Sequence, residues 1–516
     1  MNLGFLLNRA ALWYQDNTAV LHRGEAFTYR EINQNSDRLA NGLLKLGLKK
    51  GDRLVIVASD CTQYIEADFA IYKSGLIRVA INPRLSLKEI EFISKNAEAS
   101  AILFTDDMTE SINRIRPQLS DVKHFICLTG NVEGCVSYQD LIKDSMDVPP
   151  DIEVNEDDTA MLFYTGGTTG TPKGAILTHR AVKVVALNFI TAYAITQQDV
   201  FLSSATIAHA TGFRIMASYL GGAKYIMQDK FDPKLVMETV EEEKVTILST
   251  VPTTLIRLCN YPEINSYDFR SLRMVTFGAA PIAVDKLKQA IRVFGPRLAN
   301  VYGQAEAPCT IAYLSPREIV LNGEKKAEKR LASVGRPFLN VEVRVVGNDG
   351  KDVKPGEIGE ITVRSEHVMK GYWQKPEATA EALKDGWLHT GDLGMMDEDG
   401  YVFLIDRKKD IIISGGYNIY AREVEEVLNN HEAVAEAAVF GIPDPEWGES
   451  VKAVVALKPG VQATENELTE FCRKSLASYK KPKSIDFLSE LPKSSLGKIA
   501  KKELKDKYWQ GYNRRI

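Results

Sequence analysis

Short apolar strands alternate with amphipathic helices over much of this chain, and that alternation constrains the fold more than any other feature. A helical pattern over 29–46 puts Ile32, Leu39, Ala40, Leu43 and Leu44 on one face. A compact apolar run follows at 53–58 after Gly51-Asp52, then a second helix, then strands at 78–81 and 101–105 with a helix over 87–96 between them. The same grammar returns later. A helix over 235–243 leads to a strand at 245–250, and another helix begins after Pro252. A strand at 272–277 then ends in Gly278-Ala279-Ala280-Pro281, and a strand at 297–302 ends in Gly303-Gln304-Ala305-Glu306. Strands that are apolar on both faces and joined by helices build largely parallel, buried sheets. Small or polar residues at two strand ends point to a site along the carboxyl edge, where open sheets of this kind bind ligands.

The texture changes near residue 335. Segments 341–346 and 359–364 alternate like half-exposed strands and flank Asn348-Asp349-Gly350, a turn signal. We read a β-rich subdomain over about 335–400. After Asp406-Arg407-Lys408-Lys409-Asp410 comes a short α+β tail with helices at 422–429 and 465–476 and strands at 435–440 and 451–457. The expected architecture is α/β: a large N-terminal domain, 1–407, of mostly parallel sheets with helices plus the β-rich subdomain, and a small α+β C-terminal domain, 408–516. A chain of 516 residues has room for that division.

Charge balance narrows the class. Lys plus Arg is 64 and Asp plus Glu 68, for a net charge of −4, which argues against a broad nucleic-acid surface. The six cysteines, at 61, 127, 135, 259, 309 and 472, form no C-x-x-C pair and no zinc spacing with histidine, so reduced thiols in a cytoplasmic protein are expected. The first residues carry a short apolar run with no basic region before it, unlike a secretory signal. No apolar stretch approaches the roughly 18 residues that span a bilayer.

The strongest chemical signal is Tyr164-Thr165-Gly166-Gly167-Thr168-Thr169-Gly170-Thr171-Pro172-Lys173-Gly174, placed after an apolar strand at 160–164 and read as leading into a helix. Glycines let the backbone approach a ligand closely. Backbone N–H groups, threonine hydroxyls and the Lys173 ammonium together suit a polyphosphate. Pro172 directly before the lysine distinguishes it from a Walker A loop.

With this loop, the chain resembles the adenylate-forming superfamily of acyl-CoA synthetases, adenylation domains and luciferases, and its texture is nearest to bacterial acyl-CoA synthetases. Further motifs follow in the family's order over nearly the whole chain. They are His209 in Ile207-Ala208-His209-Ala210-Thr211-Gly212, Phe277-Gly278-Ala279-Ala280-Pro281, Tyr302-Gly303-Gln304-Ala305-Glu306, Thr390-Gly391-Asp392, Asp406-Arg407-Lys408-Lys409-Asp410, Ser414-Gly415-Gly416 and Pro492-Lys493-Ser494-Ser495-Leu496-Gly497-Lys498.

The resemblance implies an ATP-dependent, AMP-forming acid–CoA ligase acting on a fatty or aryl carboxylate, with ATP, Mg2+ and CoA as its small-molecule partners. Thr165, Gly166, Gly167, Thr168, Thr169, Gly170 and Lys173 would hold phosphates, and Gly278, Ala279, Ala280, Tyr302 and Gly303 the adenylate. Asp392 would accept the ribose hydroxyls, with Arg407 beside them. Glu306 would bind Mg2+, Lys498 would bridge the carboxylate and the α-phosphate, and His209 would gate the acyl pocket. Lys409 marks a hinge for a mobile C-terminal domain. Gly415, Gly416, Tyr479 and Lys481 fall where the family meets CoA.

Four positions depart from the family's usual pattern: Gly166 for Ser, Ala305 for Thr, Tyr417 for Glu, and Ala208 for a bulky aromatic. Each of the first two removes a hydroxyl donor worth about 1.5–3 kcal/mol to a charged group. Ala208 is expected to leave room for a larger acid. Two alternative functions stay open: an adenylation enzyme that loads a carrier protein, and a non-catalytic nucleotide-binding relative. The identity of the acid, the oligomeric state and peripheral membrane contact stay open as well.

Overall fold

A computed structural model describes residues 1–164, 172–203, 205–321, 323–493 and 499–510. The sequence periodicity translates directly into local structure. The helix Leu87–Asn96 has the expected limits, and Ser86 and Glu89 close its first turn as a reciprocal capping box. Thr28 and Glu31 do the same for the helix Tyr29–Lys45. Each such cap contributes about 1 kcal/mol by satisfying amide donors that have no partner inside the helix.

Two large sheets carry the first of two compact units, formed by 1–164, 172–343 and 363–388. The seven-stranded sheet runs, in spatial order, Val136–Ser137, His124–Cys127, Ala99–Phe104, Arg53–Val57, Ile77–Ile81, Thr159–Tyr164 and Gly174–Thr178. All neighbours are parallel except the last pair. Val55, Val57, Val79, Ile81, Ile102 and Phe104 fill its core.

The nine-stranded sheet is ordered Arg336–Pro337, Ala307–Leu314, Leu298–Gln304, Met274–Gly278, Ile247–Ser249, Val200–Ser203, Lys224–Met227, Thr18–His22 and Glu25–Thr28. Its six central strand pairings include five parallel ones, and antiparallel pairs close both ends. The expected strands at 272–277 and 297–302 shift by one or two residues toward their carboxyl ends.

One element differs from expectation. The chain after Pro172 does not enter a helix directly. It forms the strand Gly174–Thr178, antiparallel to Thr159–Tyr164 with Gly174 opposite Tyr164, and only then the helix His179–Tyr193. A Cβ at Gly174 would stand 3.0 Å from the Tyr164 ring, so glycine lets that ring cover the hairpin end.

The β-rich part is a five-stranded sheet of Glu342–Val346, Gly359–Arg364, Leu383–Lys384, Trp387–Met396 and Val402–Arg407. The second unit comprises 344–362, 389–493 and 499–510. Its last part is α+β: the strands Val434–Asp444 and Gly448–Leu457 form a long antiparallel pair, Ser484–Leu488 joins Gly448–Leu457 in parallel, and the hairpin Ile412–Ser414/Tyr417–Ile419 meets the start of the same strand, Ser414 opposite Gly448. Helices Ala421–Asn429 and Glu465–Ser475 bury Val424, Leu428, Leu468 and Cys472 in its core.

Candidate active site

The parallel strands Met274–Gly278 and Leu298–Gln304 release the chain at the same edge. Gly278 lies opposite Val301, and a Cβ there would meet the Val301 carbonyl at 2.7 Å. At Gly303 a Cβ would meet the Cys309 amide at 2.3 Å. No side chain fits either place. Ala279, exposed at the strand end, has a left-handed φ of +67°, a conformation that costs a non-glycine residue about 1–2 kcal/mol. Ala280 follows, partly buried, and Tyr302 is buried one residue before Gly303.

Glu306 does not sit in a strand-to-helix loop. It occupies a two-residue turn between Leu298–Gln304 and Ala307–Leu314, where Gln304 pairs with Ala307. Glu306 is 9% exposed. Tyr372 donates its hydroxyl proton to Glu306 Oε1 at 2.5 Å, and the Met369 amide donates to the Glu306 carbonyl at 2.8 Å. Burial, reinforced by the Glu306 charge, pushes the Tyr372 phenol well above its ordinary value, so it remains a donor.

Residues 369–373 form a strap that also pairs with the strand Gly174–Thr178. Lys370 N donates to Ile176 O, Ile176 N to Gly371 O and Trp373 N to Gly174 O, at 2.8–2.9 Å. Thr379 Oγ1 accepts from the Tyr372 amide, and the Trp373 indole donates to Asn96 O at 3.0 Å. Lys173 Nζ lies 4.6 Å from the centroid of the Tyr372 ring. One tyrosine therefore has a carboxylate at its hydroxyl and an ammonium on its face. Tyr372 is absent from the sequence-derived candidates. Its only sequence signal is an aromatic pair after Gly371.

His209 stands where the two large sheets approach each other. It follows the strand Val200–Ser203, and its Nε2 lies 3.2 Å from the amide nitrogen of Asn82, the residue after Ile77–Ile81. The segment is anchored from below. Asp60 Oδ1 accepts from Thr206 Oγ1 at 2.9 Å and Ile207 N at 3.0 Å. Arg78 donates to the Ile207 carbonyl at 3.3 Å while its Nε pairs with Asp68 at 2.6 Å. Burial raises the Asp60 carboxyl to about 6, against the hydrogen bonds that favour its charged form. Ala208 is only 1% exposed, so the room expected beside its methyl is not open to solvent.

The second unit holds the remaining described candidates. Asp392 and Arg407 are register partners on Trp387–Met396 and Val402–Arg407, with Arg407 Nε 3.3 Å from Asp392 Oδ1. Asp392 is buried, and its amide is held by Thr390 Oγ1 at 3.1 Å. Glu360 gathers His389 Nδ1, Lys408 Nζ and the Gly391 amide at 3.1–3.2 Å. Burial raises its carboxyl, but these partners outweigh burial and hold it below the usual carboxylate range. Lys409 lies in a single 3-10 turn, Lys408–Asp410.

Gly415 and Gly416 form the two-residue turn of a hairpin, with φ of +57° and +82° and Ser414 opposite Tyr417. Two successive positive φ values are what such hairpins require. A Cβ on Gly415 would meet the Trp447 ring at 2.6 Å, whereas one on Gly416 meets nothing within 4 Å. Tyr417 stacks on Tyr479 with centroids 4.8 Å apart and planes 29° apart, and both rings are well exposed. That pairing accounts for the tyrosine at 417. Lys480 is held by Glu423 at 2.7 Å, while Lys481 is half-buried in the turn beyond the helix Glu465–Ser475.

Seven candidates, Thr165, Gly166, Gly167, Thr168, Thr169, Gly170 and Lys498, lie outside the described residues. Among the described residues no group of three or more His, Cys, Asp or Glu side chains could hold a metal, and no helix is long and apolar enough to cross a membrane.

Comparison with known proteins places this geometry in a family. The AMP-binding enzyme model matches residues 7–373, and the AMP-binding enzyme C-terminal domain matches 423–498. The chain belongs to the AMP-binding, adenylate-forming enzymes. It is 38% identical over 495 residues to a feruloyl-CoA synthase of Amycolatopsis sp., covering 95% of this chain and 96% of that one. It is 35% identical over 534 residues to a long-chain-fatty-acid–CoA ligase of Bacillus subtilis, covering 97% and 93%. The structure of o-succinylbenzoate CoA synthetase from Bacillus subtilis, in complex with its acyl-adenylate intermediate, superposes with a TM-score of 0.85 at 30% identity, covering 97% and 98%.

Proposed function

We propose that this protein is an AMP-forming acid–CoA ligase that activates a fatty or aryl carboxylate with ATP and transfers the acyl group to CoA. The observation that carries the reading is the line of Lys173, Tyr372 and Glu306 at the carboxyl edge of the sheets. In the first step a carboxylate oxygen attacks the α-phosphorus of ATP, forming the acyl–phosphate bond and releasing pyrophosphate. Anion meets polyanion, so cations must offset both charges. Lys173 supplies one such charge beside the phosphate loop, and Lys498 fills the same need at the α-phosphate.

Glu306 suits a magnesium ion. It is a single buried carboxylate whose Oε1 accepts from Tyr372; magnesium is typically held by one or two carboxylates together with substrate phosphates and water. When bound there, the ion neutralises phosphate charge. Gly278, Ala279, Ala280, Tyr302 and Gly303 would face the adenine at the carboxyl edge where the two parallel strands end. Asp392 and Arg407 would take the ribose and phosphate, a carboxylate for hydroxyls and a guanidinium for charge. His209 would stand at the acyl entrance, held by Asn82.

In the second step the CoA sulfur attacks the acyl carbon, forming the thioester and releasing AMP. Gly416, with open space around its Cβ position, is suited to line a path for the pantetheine arm. The exposed Tyr417–Tyr479 stack beside Lys481 offers an aromatic face and an ammonium to the nucleotide end of CoA. Lys409 is the candidate pivot between the two steps, and a cytoplasmic setting supplies both ATP and CoA.

The test is pyrophosphate release from ATP and Mg2+ with a panel of fatty and aryl acids, with and without CoA. Release that requires acid and accelerates with CoA supports the ligase. Acid-dependent release that responds to holo carrier protein instead of CoA identifies a carrier-loading enzyme. Tight ATP binding with no release for any acid refutes catalysis.

A further inference from the structure

The mechanism above leaves one buried cation without use. Arg214 lies in the first turn of the helix Gly212–Leu220, five residues beyond His209, and is 7% exposed. The other deeply buried cations of this unit have counter-ions: Lys73 pairs with Asp37 and Arg78 with Asp68. Arg214 pairs with no carboxylate among the described residues, and its Nε has no hydrogen-bond partner. The Phe189 ring lies 5.5 Å from its guanidinium carbon. A cation near a helix N-terminus also opposes the helix dipole. Burial, the missing counter-ion and the helix end all disfavour an arginine here.

The same place collects further buried polar atoms. Tyr193 Oη, at the end of the helix His179–Tyr193, and Thr276 Oγ1, on the strand Met274–Gly278, are buried, and neither makes a hydrogen bond of full geometry among the described residues. The Tyr193 hydroxyl feels the charge of Arg214 and lies within hydrogen-bonding influence of both Arg214 and Thr276, which puts the three groups together. They come from three elements and lie close to the reaction edge in the chain. Thr276 precedes Gly278 by two residues, and Cys309, also within the field of Arg214, follows Glu306 by three.

Resting on the ligase reading, we propose that Arg214, Tyr193 and Thr276 receive a second carboxylate on the acid substrate, so that the protein activates dicarboxylic acids. A guanidinium fork binds a carboxylate through two parallel hydrogen bonds, and two hydroxyls add donors to the remaining lone pairs. The reacting carboxylate then lies toward Glu306 and Lys173, and the far carboxylate supplies the counter-ion that Arg214 lacks. Aromatic rings around the cluster, among them Phe189 and Tyr193 with centroids 5.1 Å apart, suit the hydrocarbon between the two acid groups.

The experiment compares matched acids on the full-length protein: adipate with hexanoate, suberate with octanoate, and 4-carboxycinnamate with cinnamate and 4-hydroxycinnamate. Pyrophosphate release gives kcat/KM, and calorimetry without ATP gives binding. The expected result is a preference of at least about tenfold for each diacid, since a site with buried donors discriminates against a ligand that leaves them unpaired. Arg214→Met is expected to bring that ratio close to one and to abolish calorimetric diacid binding. Arg214→Lys, which keeps the charge and loses the fork, is expected to fall between. Equal or better use of the monoacids or of 4-hydroxycinnamate by the unaltered protein overturns the proposal, as does a preference unchanged in both variants. Diacid binding that requires Arg214, with no pyrophosphate released, supports the site and refutes the ligase reading alone.

Discussion

Replacing Tyr372 with Phe removes one hydroxyl and leaves the rest of its surroundings intact. The ring stays, so the Lys173 ammonium keeps its aromatic face. The backbone bonds of the strap to Ile176 and Gly174 do not involve the hydroxyl. What is lost is the 2.5 Å hydrogen bond to Glu306 Oε1. A hydrogen bond to a charged group contributes about 1.5–3 kcal/mol. At 1.36 kcal/mol per decade, that is about 10- to 150-fold in kcat/KM for acid-dependent pyrophosphate release. Because the lost partner orients the proposed magnesium carboxylate, the Mg2+ concentration giving half-maximal rate should rise as well. Single-turnover pyrophosphate release, titrated with Mg2+ and run beside a thermal melt, separates this from misfolding. Tyr372→Leu should lose a further ~0.5–2 kcal/mol through the missing cation–π contact. A Tyr372→Phe protein within twofold of the parent at every Mg2+ concentration refutes the assignment of Glu306 and its tyrosine to the adenylation step.

The two hairpin glycines should separate packing from chemistry. Gly415→Ala combines a positive φ with a 2.6 Å approach to Trp447 and should lower stability more than Gly416→Ala, which carries backbone strain of about 1–2 kcal/mol alone; thermal melts give the order, and thioester formation should suffer more than pyrophosphate release in Gly416→Ala. Asp60 has a folded value of about 6, raised from 3.8 by burial, so its favourable neutral form is present in acid and lost as pH rises through 6. Asp60→Asn should therefore be more stable than the parent at pH 8 by about 1–3 kcal/mol, with the gain vanishing near pH 4, as read by denaturant titration. Ala305→Thr restores a hydroxyl beside Glu306 and should lower KM for ATP about tenfold if that hydroxyl reaches a phosphate, the low end of a charged hydrogen bond.

The parts of the fold legible in the sequence are those set by local pattern. The helix at 87–96 was readable because Ser86 and Glu89 mark its start and Ile90 and Ile93 its buried face. The strands at 53–57 and 77–81 were readable because apolar residues on both faces admit few other structures. The strand Gly174–Thr178 was not, because Pro172, Lys173 and Gly174 read as loop; the glycine is there to admit the Tyr164 ring, a contact the local pattern does not contain. The N-terminal hairpin Thr18–His22/Glu25–Thr28 joins its sheet through Lys224–Met227, about two hundred residues away. Glu306 was singled out through its motif. Tyr372 lies 66 residues along the chain from it and has no periodicity to betray it, and that Arg214 pairs with no carboxylate among the described residues becomes visible only in the structure.

The strap at 369–373 bears on where new sequence can be spliced into this chain. Its hydrogen bonds fix the spacing between the Glu306 turn and the Gly174–Thr178 edge like a ruler. Side chains along extended backbone alternate sides, so one inserted residue before Tyr372 would turn its hydroxyl away from Glu306. The turn at Asn348-Asp349-Gly350 is the opposite case. Nothing lies within 4 Å of a Cβ at Gly350, and the turn is closed locally, by bonds from Gly350 N to Gly347 O, Gly347 N to Lys351 O and Lys351 N to Asp349 Oδ1. A reporter domain or affinity tag grafted at 349–350 should leave the fold intact, while the same graft at 371 would break the register that holds the tyrosine in place.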